Sequence, residues 1–370
     1  MLLLAVLWGC CTATAQPSES GRLQLHFEAM HFFQNNEYFN PRQSGYTLPG
    51  FYLRPYADWH LTPATTLQAG FHWLHYWGAR NYPAAHISHP WPDSPDSASR
   101  PLHLLPWMRI DLATSRHLCL TLGNLHSEQQ HYLPLPLFNP ERLYATDPEA
   151  GFQLQTHAHW VDADVWVDWQ EYIWHQSTQQ EHFTAGLTLR PRLALGDHWQ
   201  LTLPLHALVQ HSGGQDMATA QPVNTQYNLA AALEASRQAG RLLLEAQCYT
   251  MLFRQQRQLT IPFSSGYGIY PHLGISLDST ATLQIGYWQS HHFLPLLGSR
   301  LFGNAPATVG DEIPSDSRML TIGLHYHWRK LSAANLAAEG RLYHFLGEEK
   351  PLQYSFGLTL GVKPTIPLLP

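Results

Sequence analysis

The sequence predicts an all-β protein, a transmembrane antiparallel up-and-down β-barrel of about sixteen strands within a range of 14–18. Three observations predict it. Apolar and polar residues alternate with a period of two along the whole chain, charge is scarce at 13% with a mean hydropathy of −0.25, and short turns alternate with long loops. A period of two is a strand with two different faces. A membrane-crossing helix needs about 20 consecutive apolar residues, and no such run follows the N-terminus. In a barrel wall half of each strand is polar, so average hydropathy conceals the membrane face.

The hairpin at 151–174 shows the pattern at its clearest. Phe152, Leu154, Ala158 and Trp160 share one parity, and Gln153, Gln155, His157 and His159 the other. A turn is expected at Val161-Asp162, after which Ala163, Val165, Val167 and Trp169 oppose Asp164, Trp166 and Asp168. Sixteen such segments follow one another: 22–34, 50–60, 65–78, 104–113, 116–125, 151–160, 163–174, 182–192, 198–210, 223–236, 241–253, 267–278, 282–289, 318–329, 336–346 and 352–363. Most approach the roughly 9–11 residues that a tilted strand needs to cross a bilayer. Connections after even-numbered segments are short, as at 61–64 and 114–115, whereas 79–103, 126–150 and 290–317 are long. That asymmetry predicts a periplasmic rim of turns and an extracellular rim of loops in the bacterial outer membrane.

At the N-terminus, residues 1–15 read as a signal peptide with Ala13-Thr14-Ala15 as the cleavage site, leaving 16–370 as one barrel domain. A lipoprotein box at Leu7 to Cys10 is poor because Trp8 occupies its second position. Strand parity points Cys119 inward and Cys248 outward, so no disulfide is expected. The formal net charge is −6 without a basic stripe, which argues against nucleic acid.

Aromatic residues sort by rim. Trp59, Trp160, Trp199 and Trp328 fall at the short-turn rim, and Phe33, Phe51, Phe152 and Phe183 at the other, as a membrane girdle does. The inward parity is polar, and its expected pore-lining residues are Arg54, Tyr56, Arg109, Asp111, Gln155, His157, His159, Asp164, Asp168, Arg190, Glu234, Glu245, His325, His327 and Arg341. Their warrant is energetic, since an Arg facing lipid at mid-depth costs about 2–4 kcal/mol. A lumen merely cross-braced by ion pairs explains the same parity. The pairs His157/His159 and His325/His327 have the spacing of metal ligands on one strand face, but no Cys or nearby carboxylate completes either set. Neither a resident metal nor a cofactor is expected.

The loop 126–150 combines Pro and apolar residues with Glu141, Arg142, Asp147 and Glu149, which suits a constriction loop packed into the lumen, or else a surface docking loop. The stretch 79–100 reads as an extracellular flap rich in Pro and Ser. The third long loop, 290–317, has an apolar front, Phe293 to Leu297, and an acidic tail.

Leu122-Gly123-Asn124-Leu125, Pro136 to Glu141 and Pro148 to Gln153 resemble a segment of an uncharacterised, porin-like outer-membrane β-barrel family of Bacteroidota. Gln16 as first mature residue is similar to exported proteins of that phylum. The resemblance covers about a tenth of the chain and implies location and fold, without a substrate. The chain departs from many such barrels in ending on residues 364–370 instead of an aromatic.

The leading functional expectation is a porin-like channel for small hydrophilic solutes, because barrels of sixteen to eighteen strands leave an aqueous lumen. A plugged scaffold docking a surface lipoprotein, a secretion partner or another outer-membrane protein is the alternative. A lipid hydrolase or acyltransferase comes last: it needs a Ser or carboxylate nucleophile within reach of a His on the outward or rim surface. No G-x-S-x-G and no persuasive Ser/His spacing is present, so the chain is expected not to be an enzyme. Outer-membrane lipid and small solutes are the expected partners.

Overall fold

The computed structural model describes residues 20–77, 103–175, 178–214, 222–257, 261–278, 280–306, 312–328 and 334–369. The signal segment 1–15 and the flap 79–100 lie outside the described residues. Eighteen strand segments form one antiparallel sheet that closes where β1 (Leu23–Asn40) pairs with β17 (Leu352–Val362) and β18 (Thr365–Leu369). In chain order the others are β2 (Gln43–Thr62), β3 (Thr65–Tyr76), β4 (His103–Ala113), β5 (Leu118–Asn124), β6 (Ala150–Ala158), β7 (Val161–Glu171), β8 (Glu181–Leu195), β9 (Trp199–Thr202), β10 (Leu205–Gly213), β11 (Asn224–Ala239), β12 (Leu242–Arg257), β13 (Ser265–Leu277), β14 (Ala281–His291), β15 (Asp316–Trp328) and β16 (Ala334–Phe345).

The barrel nevertheless has sixteen staves. β9 and β10 lie along one path, both bonded to β8 and β11, and β17 and β18 both run along β1. Each of these staves is interrupted at a proline, Pro204 or Pro364, whose missing N–H cannot enter the ladder. All pairs are neighbours in sequence apart from the closing seam, so every wall contact follows from hairpins and one closure.

Two boundaries differ from the sequence expectation. The stretch 35–49, expected to lie between strands, continues β1 and β2 as a ladder to a tip at 41–42. Its Gly, Pro and Asn resemble loop chemistry, yet the inward parity persists through Tyr38 and Leu48, which are buried. At the opening hairpin the turn lies at 159–160, with Ala158 opposite Val161, and not at Val161-Asp162. Val161 and Asp162 are buried and already belong to the wall.

On the outer wall an aliphatic belt, including Leu229, Leu252, Ile285, Ile322 and Leu358, is exposed in every case. Trp59, Trp160, Trp199 and Trp328 are exposed at the short-turn rim. Phe33 and Phe152 are exposed towards the loop rim, while Phe51 and Phe183 are half-buried by ring contacts with Trp73 and Trp169. This is the outside of a bacterial outer-membrane barrel.

Inside, the loop-rim half of the lumen is filled. After β5 the chain descends along the inner wall, crosses the lumen through Leu133, Leu137 and Phe138, forms the short helix α1 (Arg142–Ala145) against β1–β3, and returns to β6. After β14 a second loop enters through Phe293, Leu294, Leu296 and Leu297. The two loops meet at a Phe138–Leu297 bridge, with the Asn139 N–H donating to the Leu297 carbonyl at 2.9 Å. They share one apolar core with the inward-facing Trp166, Leu208, Met251, Phe253, Trp288, Met319 and Phe345. Leu143 joins that core to a second cluster of Phe32, Leu48, Leu74, Tyr76 and Tyr144. Glycine makes room on the wall where the largest rings lie flat. A Cβ on Gly186 or Gly268 would come within 2.3 Å of Trp166 or 2.2 Å of Trp288.

The descending limb is anchored by His131. Gln130, His131 and Tyr132 all have positive φ, at 54°, 51° and 59°. A left-handed turn of L-residues costs about 1–2 kcal/mol per residue, so something must hold it. The fully buried His131 ring donates from Nδ1 to Asp164 at 2.9 Å and from Nε2 to Glu149 at 2.7 Å, and it stacks on Trp166 at 4.1 Å. Thr188 donates to the His131 carbonyl at 2.8 Å. Burial pushes the imidazole down, but the Glu149 and Asp164 carboxylates override it and hold its pKa up at about 10.

The folded value lies above the ordinary 6.5, so this contribution to stability is full below about pH 6.5 and is lost as pH rises through about 10. Tryptophan emission is therefore expected to shift with a midpoint near pH 10 as Trp166 loses its charged neighbour, and the shift is expected to vanish in His131→Gln. An emission profile flat from pH 8 to 11 in the unsubstituted protein, a range that brackets about 10, would contradict the charged anchor. Truncating the bridge by Phe138→Ala, a fully buried ring, is expected to cost about 3–5 kcal/mol, read as a lowered melting temperature with β-sheet circular dichroism retained.

Candidate functional site

The polar inner wall lies on the periplasmic side of the plug, and many of its charges are paired. Arg54 donates to Glu28 at 3.3 Å and stacks over Trp107 at 3.9 Å. Buried Tyr56 lies beneath Lys363, 5.6 Å from its ring centroid. Arg190 donates to Glu234 at 2.8 Å, and Glu245 shares that face across β11 and β12. His325 lies 3.5 Å and Arg341 3.6 Å from Glu339, with His327 half-buried beside them. Arg109 is drawn up to the descending loop, donating to the carbonyls of Asn124 at 2.8 Å and Leu125 at 2.6 Å, while His126 joins Asp111 at 3.0 Å.

Gln155 donates to Asp164 at 3.3 Å, and Asp168 accepts from the Ala150 N–H at 2.9 Å. His157 pairs with Asp162 at 3.2 Å. His159 is the exception to the expected lining set. It stands exposed in the 159–160 turn because β7 begins at Val161, so His157 and His159 do not form a pair on one strand face. Among the described residues no group of three or more His, Cys, Asp and Glu side chains is arranged to hold a metal. Cys119 is buried, Cys248 is exposed on the outer wall, and neither is in a disulfide among the described residues.

Of the expected constriction residues, Glu141, Arg142 and Glu149 are buried inside the barrel, and Asp147 is half exposed beside His103. Glu141 accepts from Asn36 at 2.8 Å and from Tyr46 at 2.7 Å, and burial pushes its carboxyl up to about 7. The Ser127–Glu149–His131–Asp164 chain is not a catalytic triad. Ser127 bonds to the carboxylate rather than to the imidazole, and both ring nitrogens of His131 already face carboxylates, so no lone pair remains to accept a proton.

A different histidine has the geometry of a general base. On β14 the outward parity runs Leu283, Ile285, Tyr287, Gln289, His291, and on β15 it runs Asp316, Arg318, Leu320, Ile322. His291 and Asp316 are register partners at the loop rim, above the aliphatic belt. His291 Nδ1 meets Asp316 Oδ1 at 2.9 Å, and Ser315 donates to the other carboxylate oxygen at 3.1 Å. The Tyr267 ring stacks beside the imidazole at 5.9 Å. At His292, φ is 49° and its N–H donates to the Ser315 carbonyl at 2.9 Å, which turns the chain from the outer wall into the plug.

His291 and Asp316 remain 39% and 70% exposed at the loop rim, above the aliphatic belt. A carboxylate on Nδ1 fixes the tautomer that leaves Nε2 as proton acceptor and stabilises the imidazolium. The sequence expectation ended the strand at 289 and left His291 inside the long connection 290–317. The signal lay in parity, but His291 and Asp316 meet only once the register across a long connection is known.

A family model described as lipid A 3'-O-deacylase-type matches residues 15–369. No curated protein matches the chain. Among solved structures, OccAB4 of Acinetobacter baumannii superposes with a TM-score of 0.52 at 10% identity, covering 95% of this chain and 100% of its own. OccK2 (OpdF) of Pseudomonas aeruginosa, solved with glucuronate, gives 0.50 at 10% identity over 94% and 98%. OmpT of Vibrio cholerae gives 0.50 at 9% identity over 94% and 98%. At such identities these likenesses concern the fold, that of porin-like outer-membrane barrels. The expectation that the chain is not an enzyme is overturned, because the matched family is described by an enzymatic activity. Sequence reasoning weighed motif spacing along the chain, whereas a barrel assembles its sites across strands. With the match running over nearly its whole length, this chain belongs to the lipid A 3'-O-deacylase-type family.

Proposed function

We propose that the protein is an outer-membrane hydrolase that removes an ester-linked acyl chain from a glycolipid of the lipid A type in the outer leaflet. The outward-facing His291–Asp316 pair at the loop rim carries this reading, because it places a general base where such an ester lies. The family description supplies the substrate class.

In this mechanism His291 Nε2 takes a proton from water as the oxygen attacks the ester carbonyl carbon. The tetrahedral intermediate then expels the sugar oxygen, and the imidazolium returns the proton to it. The products are a fatty acid and a sugar hydroxyl, so each oxygen and proton is accounted for. Asp316 holds the ring in place and stabilises the imidazolium throughout. The packed plug serves as a rigid backing, since the chain that carries His291 turns directly into the buried Phe293.

A second reading, a channel for small hydrophilic solutes, is supported by the half-exposed ionic wall below the plug and by a neighbour solved with glucuronate. The apolar core across the lumen opposes it, because an ion crossing that core would be stripped of water.

His291→Ala is expected to lower the rate of acyl release from a purified lipid A substrate by about 10²–10⁴-fold, the usual worth of a general base, with the barrel's heat-modifiable migration unchanged. Asp316→Asn is expected to produce a smaller loss, concentrated in kcat. Undiminished acyl release in both variants would remove the dyad from the mechanism. In planar bilayers the unsubstituted protein is expected to show no conductance steps, and Phe138→Ala with Leu297→Ala is expected to produce them. Regular steps from the unsubstituted protein would favour the channel.

A further inference from the structure

Several arginines of the lumen and the short-turn rim are held by carboxylates: Arg54 by Glu28, Arg190 by Glu234, Arg192 by Asp162, Arg241 by Asp278 and Arg341 by Glu339. Arg254 on β12 and Arg318 on β15 are different. Both are exposed on the outward parity at the loop rim, immediately above the belt positions Leu252 and Leu320. Among the described residues neither has a carboxylate within ion-pair distance, and the nearest acid on that face, Asp316, is engaged by His291 and Ser315.

We infer that Arg254 and Arg318 form a clamp for lipid-borne phosphate on the outer wall, flanking the His291–Asp316 pair. A guanidinium on the lipid side costs about 2–4 kcal/mol at mid-depth but little at headgroup depth, where its natural counter-ion is a phosphate. The planar fork then bonds two phosphate oxygens at once. The register sets the spacing. Arg254 lies opposite Ser265, two residues from Tyr267; Tyr267 lies opposite His291, and His291 opposite Asp316, two residues from Arg318.

Three inter-strand steps, with an offset of four residues along the strands, put the arginine backbones roughly 20 Å apart, with the imidazole between them. Two flexible side chains starting from that separation can grip phosphate on either side of a headgroup while its acyl ester crosses His291. Gln289, opposite Arg318 on the same face, adds an uncharged donor. The inference rests on the hydrolase reading for the purpose of the captured lipid, whereas the capture itself does not.

The test uses the full chain in phosphatidylcholine nanodiscs doped with phosphatidic acid, counting by native mass spectrometry the phosphatidic acid retained after detergent release. Retention is expected to fall about fivefold per arginine in Arg254→Gln and Arg318→Gln, to fall further in the double variant, and to recover substantially in Arg254→Lys with Arg318→Lys, which shows that the wall is intact. His291→Ala is expected to retain phosphatidic acid like the unsubstituted protein. Equal retention in the double glutamine variant overturns the clamp, and so does complete displacement by inorganic phosphate, which marks a site for the free anion. If His291→Ala still releases acyl chains while retention depends on both arginines, the clamp stands and the catalytic assignment of the dyad falls.

Discussion

Inside hydrocarbon no water is present to bond a stray N–H or C=O, so the sheet must close on itself. Closure happens where β1 meets β17 and β18, and the rest of the molecule depends on that seam. It divides the side chains into an outer and an inner set, makes sixteen staves out of eighteen segments, and leaves a lumen wide enough to need filling. The prolines at 204 and 364 are tolerated because each stave is bonded again on the far side of its gap.

The filling is not a cross-brace of ion pairs alone. Two loops enter from the same rim and meet at Phe138 and Leu297, so the upper lumen is packed like the interior of a soluble domain, while the lower lumen keeps the charged wall. A left-handed turn at 130–132 aims His131 between two acids. Burying one imidazolium between two carboxylates satisfies three groups whose isolated burial would be costly, which is how an otherwise unfavourable turn persists. In the proposed hydrolase the chemistry lies on the outer wall, outside this rigid interior. The chain leaves the outer wall at His292, and the residue before it presents an imidazole to the leaflet.

Much of this was legible in the alternation. Strand number, direction, the two rims, the tryptophans at 59, 160, 199 and 328, and the inward character of Arg54, Asp164, Arg190 and Arg341 all follow from a period of two, because parity is local. Errors fell where parity is counted across a bend. His159 was placed on the wall because the turn was set two residues late, and 35–49 read as a loop because its Gly and Pro outweighed the continuing alternation of Tyr38 and Leu48. The loop 126–150 was recognisable as apolar and charged at once, but its sequence suits a docking surface equally well.

By itself the sequence determined that this chain is a barrel, which way its strands run and which side chains face lipid, since those properties depend on neighbours one or two residues away. Only the tertiary structure decided that the lumen is packed, that His131 is an anchor rather than a base, and that His291, Asp316, Arg254 and Arg318 share one face of the outer rim. Those relations depend on register between strands separated by long connections. Register is set by sheet closure and by what the loops bury, and neither is written in any single segment.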